Sequence, residues 1–233
     1  MKEKRIMVPT RCVHDWKALL ADPEKHWQAG YSAMATACAW ETARGIPPEI
    51  ADMFAHAEDS GLRSARLVFA TPEYRVPLKG GPRASQNDVF ALLASRSWLI
   101  CLMVEGKARE DFGPTVGQWR RKTSEKGYRI RLQHILENIG LVDSVPDSIR
   151  YQLLHRTASA VLEAKRLHAA CAIMVVQSFV LSDRENHFQD FARFLALYRR
   201  KAEKGKLTFL KEVDGIRLYS GWADGKMPCE CPE

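Results

Sequence analysis

The stretch WLICLMV, residues 98–104, is apolar at every position and runs straight into Glu105-Gly106-Lys107. A run this short and this apolar fits a strand buried on both faces, which requires helices on both sides of a mixed or parallel sheet. It therefore points to an α/β fold before any other feature is considered. Side chains two apart on a strand share a face, so Glu105 and Lys107 point the same way from the strand's end. Gly106 between them leaves room for another group to approach the backbone. The tripeptide has two readings. Either Val104 is the last buried residue and two charges emerge into solvent, or a carboxylate and an amine stand at the rim of a desolvated layer, where each needs a partner or a ligand.

The flanking sequence supplies the layers. Residues 15–21 and 32–44 read as helices, the second capped by Ser32, and Pro47-Pro48 suits the first turn of another. A strand is expected over 64–70, then a loop at PLKGGP, residues 77–82, then strands over 88–94 and 99–104 joined by Ser95-Arg96-Ser97. Helices are expected over 115–122, over 129–139 with Gly140 as the stop, and from a cap at Asp147 or Ser148 to about residue 167. A buried strand over 170–179 follows. Phe188, Phe191, Leu195 and Tyr198 recur at helical spacing. Asp214-Gly215 between 207–213 and 216–222 marks a two-residue hairpin. With 233 residues, 46% of them hydrophobic, the chain reads as one domain over 1–233, its core about 32–179 and its C-terminal helix and hairpin an extension over 180–233.

Composition narrows the function. A net charge of +7 makes polyanions reasonable partners. The six cysteines include no CxxC pair, so no disulfide framework is expected. Cys229-Glu-Cys231 is either half of a zinc site or a frayed terminus. The N-terminal stretch lacks a signal-type apolar region and the later apolar runs are too short to span a bilayer, so a cytoplasmic protein with no membrane partner is expected. No GxSxG elbow or convincing Cys/His pair supports a serine or cysteine hydrolase.

Asp88 opens the strand before the Glu105-Gly106-Lys107 strand, and antiparallel pairing across the short turn would bring the two carboxylates together. With the order helix, three strands, helix, strand, Asp88 and Glu105-Gly106-Lys107 resemble the PD-(D/E)XK nuclease superfamily over residues 32–179. The chain departs from its pattern at Asn87, where the superfamily has proline. Phrases such as EGKAREDFGPTVGQW and GGPRASQNDVF also resemble an uncharacterised bacterial family of unknown function. The nuclease resemblance implies a restriction-endonuclease-like core, a central mixed sheet flanked by helices. It implies Mg²⁺ or Mn²⁺ held by Asp88, Glu105 and the Gly106 carbonyl, oxygen donors suited to hard cations, with Glu41 of an early helix as a further ligand. Lys107 would orient or activate water and stabilise charge on phosphorus, and Gln152 would position water or phosphate. The implied substrate is nucleic acid, DNA ahead of RNA, and a homodimer cutting both strands is compatible with it.

Each residue keeps a second reading. Glu41 shares a helix face with Met34, Ala37 and Cys38, where a structural ion pair would serve as well. Gln152 lies in a stripe with Arg156, Ser159 and Glu163 that also suits a solvated helix face. Arg156 is a phosphate clamp or an exposed charge, and His155, beside Tyr151, Ala158 and Leu162, reads as a structural histidine. Arg120, Arg121, Lys122, Lys126, Arg129 and Arg131 are a track for a phosphate backbone or a solvated basic surface. A non-catalytic nucleic-acid or protein-binding module on the same fold is the alternative function.

Overall fold

A computed structural model describes residues 10, 12–43, 45–142, 144–179 and 185–227. A 3₁₀ segment (Val13–Leu19) leads into α1 (Pro23–His26), α2 (Ser32–Ala43), α3 (Pro48–Ala55) and α4 (Ser60–Arg63). Strands β1 (Arg66–Val76), β2 (Ser85–Ala94) and β3 (Leu99–Lys107) follow, then α5 (Val116–Arg121), α6 (Glu125–Asn138), α7 (Tyr151–Arg166), β4 (Cys171–Ser178), α8 (Glu185–Ala196), β5 (Leu207–Val213) and β6 (Ile216–Asp224). The strands form one mixed sheet in the order β1-β2-β3-β4-β6-β5. β1, β2 and β3 are antiparallel, β4 runs parallel to both β3 and β6, and β5 closes the far edge antiparallel to β6. The fold is thus α/β, a mixed sheet flanked by helices.

β3 is central and buried throughout except at its first residue. Its side chains alternate between two cores. Cys101 and Met103 pack with α6, α7 and α8 on one face, and Ile100, Leu102 and Val104 pack with α2 and α3 on the other. Continued to the strand's end, this alternation directs Glu105 and Lys107 toward α7 and Gly106 toward α2.

Local chemistry sets most boundaries. Thr115 and Gln118 cap α5 reciprocally and Ser124 caps α6. Asp214 and Gly215 both have positive φ, 50° and 77°, as a type I′ hairpin turn requires. Of the boundaries that differ from expectation, three have a clear cause. β1 runs past Pro72 to Val76, because it is an edge strand and a missing N–H can face away from β2. β3 continues through Lys107, because β4 pairs with it residue for residue to Lys107↔Ser178. α7 starts at Tyr151, not at a cap on Asp147 or Ser148. The Asp147 carboxylate instead binds Arg120 at 2.7 Å, and its carbonyl accepts from Gly117 N–H. The C-terminal hairpin is an integral part of the sheet, since β6 pairs along the whole of β4.

Cys12, Cys101 and Cys171 are free thiols, whereas Cys38 is disulfide-bonded. Cys229 and Cys231 lie outside the described residues. Among the described residues no helix is long and apolar enough to cross a membrane.

Candidate active site at the end of the central strand

The ladder between β2 and β3 reaches Val89↔Val104, and Asp88 is the next residue, where the strands part. Gly106 N–H donates to Asp88 Oδ2 at 2.7 Å. A carboxylate thus takes the place of a ladder carbonyl and sits at the backbone between Glu105 and Lys107. Glycine is needed here for a second reason. A Cβ on Gly106 would clash with Thr36 Oγ1 of α2 and lie 3.3 Å from Asp88 Oδ2, closer than a packed interior tolerates.

Glu105 and Lys107 share a face, as their spacing requires, and are almost wholly buried. Lys107 Nζ lies 2.8 Å from Glu105 Oε1 and 5.1 Å from the centroid of the Phe112 ring. From α7, Gln152 Nε2 donates to Glu105 Oε1 at 2.5 Å, and Arg156 Nε donates to Glu105 Oε2. Gln152 Oε1 in turn accepts from Gly113 N–H at 3.3 Å. The stripe of Gln152, Arg156, Ser159 and Glu163 is therefore no solvated face. It points into the molecule, with Ser159 Oγ donating to the His155 carbonyl and Glu163 accepting from the Tyr74 hydroxyl. His155 binds Ser85 Oγ through Nδ1 at 2.8 Å, and burial, reinforced by Arg156, Arg131 and Lys107, holds its pKa well below the usual imidazole value. It is a neutral ring in a structural contact.

Sequence reasoning missed Glu73. In the β1–β2 ladder Pro72 pairs with Val89 and Tyr74 with Asn87, so Glu73 lies opposite Asp88. Its φ of 50° is a left-handed conformation that costs about 1–3 kcal/mol and recurs at functional sites. Its Oε2 accepts from Gln86 Nε2 at 2.7 Å. The only available signal was a charged residue after an apolar strand, and Pro72 hid it by suggesting that the strand had ended.

The electrostatics follow from this crowding. Loss of water raises the Asp88 pKa well above the usual carboxylate range, with Glu105 and Glu73 adding to the rise. Burial likewise pushes Glu73 up, to about 7, against the bond from Gln86. Burial opposes ionisation of Glu105 too, but Arg156 and Lys107 outweigh it and hold Glu105 below its ordinary value. Asp88 and Glu105, with the carbonyl of the glycine between Glu105 and Lys107, offer hard oxygens of the kind a divalent cation takes. Asp88, Glu105 and the Gly106 backbone thus fit the expected group.

Glu41 does not join them. Its Oε1 accepts from Trp16 Nε1 at 2.9 Å and Thr10 Oγ1 at 2.8 Å, so it ties the 3₁₀ segment to α2. Among the described residues no three His, Cys, Asp or Glu side chains form a metal-holding group. Any cation would rest on two carboxylates, backbone and solvent or substrate oxygens, the usual pattern for Mg²⁺.

The basic run divides. Arg120 pairs with Asp147, Arg129 pairs with Glu125, and the Arg131 guanidinium is buried among the carbonyls of Leu78, Lys79, Gly81 and Arg83. Arg121 and Lys122 are exposed and line a cavity. Of the residues named from the sequence, the structure brings together Asp88, Glu105, Gly106, Lys107, Gln152 and Arg156, and leaves Glu41 and Arg131 elsewhere.

Residues 9–227 match the model of a family described as a domain of unknown function, DUF6946. No curated protein and no solved structure matches the chain.

Proposed function

We propose that this chain, which belongs to the DUF6946 family and takes no activity from that membership, is a metal-dependent nuclease on a restriction-endonuclease-like core. The observation that carries the reading is the bond from Gly106 N–H to Asp88 Oδ2 beside the Glu105–Lys107 pair. It joins two carboxylates and an amine at one strand end, in the element order helix, three strands, helix, strand. Nucleic acid, DNA ahead of RNA, is the substrate, in keeping with a net charge of +7.

Asp88, Glu105 and the Gly106 carbonyl would hold the Mg²⁺ or Mn²⁺, which supplies Lewis acidity toward a phosphodiester and neutralises its charge. Arg156 fixes the Glu105 carboxylate in one orientation and keeps it ionised. Lys107, drawn to the same carboxylate, presents an ammonium where charge on the phosphoryl oxygens grows, and it orients the attacking water. Gln152 bridges Glu105 and the Gly113 backbone, which leaves its amide poised to position water or a phosphate oxygen.

A second reading rests on one observation. Both oxygens of Glu105 are engaged by Lys107, Gln152 and Arg156, a closed network that a non-catalytic binding module would also tolerate. The test is incubation of the purified protein with plasmid, single-stranded DNA and RNA in Mg²⁺ or Mn²⁺, with chelator and Lys107→Ala as controls. Cleavage lost in both controls is the expected result. An absence of cleavage together with no metal-dependent rise in melting temperature overturns the nuclease and favours the binding module.

A further inference from the structure

Beside the catalytic centre lies a cavity of about 500 Å³ that no step above uses, large enough for part of a ligand strand. Two of its lining residues also support the site: Phe112 carries Lys107 Nζ on its ring, and Gly113 N–H holds Gln152 Oε1. Lys107 and Gln152 do not line the cavity themselves; it reaches them through Phe112 and Gly113, one residue removed from the groups that would meet the scissile phosphate. Its charges are not equivalent. Arg150 is committed to Asp190 Oδ2 at 2.7 Å and to the carbonyls of Phe112 and Gly113, so it pins the loop. Asp111 is held by His187 Nε2 at 3.0 Å. Arg121 and Lys122 are exposed, and neither side chain has a hydrogen-bonding or ion-pair partner among the described residues. Two uncommitted cations outnumber the lining's one carboxylate, Asp111, and make a site for a polyanion.

We infer that this cavity seats the nucleic-acid strand next to the scissile phosphate, with Arg121 and Lys122 each contacting a backbone phosphate. The inference rests on the nuclease reading and deepens it, because it gives the substrate a path. The contacts are sequence-independent, since phosphate contacts position a strand without reading its bases. The other basic residues of the run do not share this role, being paired in Arg120 and Arg129 and enclosed by carbonyls in Arg131.

The test separates binding from cleavage. Fluorescein-labelled single-stranded DNA, duplex DNA and RNA of one sequence are titrated in chelator, read by anisotropy over a salt series. The full chain, an Arg121→Glu/Lys122→Glu variant and an Arg199→Glu/Lys201→Glu variant with the same charge change outside the cavity lining are compared. The cavity variant is expected to lose roughly 10- to 100-fold in affinity, and its salt slope to fall by about 2. The control keeps most of its binding, and all three keep the same melting temperature. Equal losses in both variants, unchanged binding in the cavity variant, or no binding by the full chain overturns the inference. Binding that depends on the cavity without cleavage in Mn²⁺ would instead sink the nuclease while leaving the track standing. Cleavage with unchanged KM in the cavity variant would do the reverse.

Discussion

Arg131 and Arg156 are equally buried, each 7% exposed, and yet they answer the cost of burying a guanidinium in opposite ways. Arg131 rises from α6 into the PLKGGP loop and donates to four backbone carbonyls, those of Leu78, Lys79, Gly81 and Arg83. Gly80, at φ 87°, lies so close that a Cβ there would come within 2.6 Å of the Arg131 amide. The four carbonyl acceptors of that cage do not titrate. Arg156 donates to Glu105, with Asp88 and Glu73 pulling on it from beyond. Its acceptors can gain protons, lose them or take another cation. A buried charge among carbonyls is a structural pin, whereas a buried charge among crowded carboxylates is one element of a site whose charge can be rearranged.

The comparison can be broken at either end. The largest effect is expected from Arg131→Met, which leaves four carbonyls without their donor. Stability should fall by about 3–5 kcal/mol, since four hydrogen bonds from a charged donor are lost at roughly 1 kcal/mol or more each. Urea unfolding measures this, and cleavage per folded molecule should be unchanged. A stable variant with lost activity would place Arg131 in the site. Next comes Glu105→Gln, which keeps the shape but removes the charge that Arg156 and Lys107 share. Cleavage should fall by at least about 100-fold, the scale for losing one preorganised electrostatic contact, as read by kcat/KM. A loss below tenfold would show that the network is structural, like the Arg131 cage.

The smallest effect separates the two regions by pH. Glu73 has a folded pKa of about 7, above its ordinary value, so the folded state keeps a proton that the unfolded state releases. Its contribution to stability is complete below the ordinary carboxylate range and is lost as pH rises toward 7. Asp88, also raised, acts in the same direction, while Glu105, lowered, contributes stability that is lost as pH falls. Glu73→Gln should therefore flatten the decline in melting temperature between about pH 4.5 and 7, whereas Arg131→Met should leave that slope as it is. Identical slopes in wild type and Glu73→Gln would remove Glu73 from the carboxylate cluster.

Much of this arrangement was legible one strand at a time. An apolar run with a two-residue period puts Glu105 and Lys107 on one face, and Asp88 follows from a short antiparallel turn. The polar stripe on α7 was legible as a stripe but not in its direction, because periodicity defines a face without saying what lies against it. Glu73 was hidden because Pro72 ends a central strand but not an edge strand, and whether β1 is an edge depends on the whole sheet. Arg120, Arg121, Lys122 and Arg131 look alike in a basic run. Their separate fates depend on which of them meets Asp147, a loop of carbonyls or an open cavity.

The chain's own order therefore determined the α/β class, the central strand and the shared face of Glu105 and Lys107, since these depend on periods of a few residues and on local caps and turns. Only the tertiary structure decided that Glu41 serves Trp16 and Thr10, that Glu73 faces Asp88, that α7 turns its charges inward and that β6 joins β4. Those outcomes depend on the desolvation and charge pairing that arise when distant segments meet, and such energies are not carried by any one stretch of sequence.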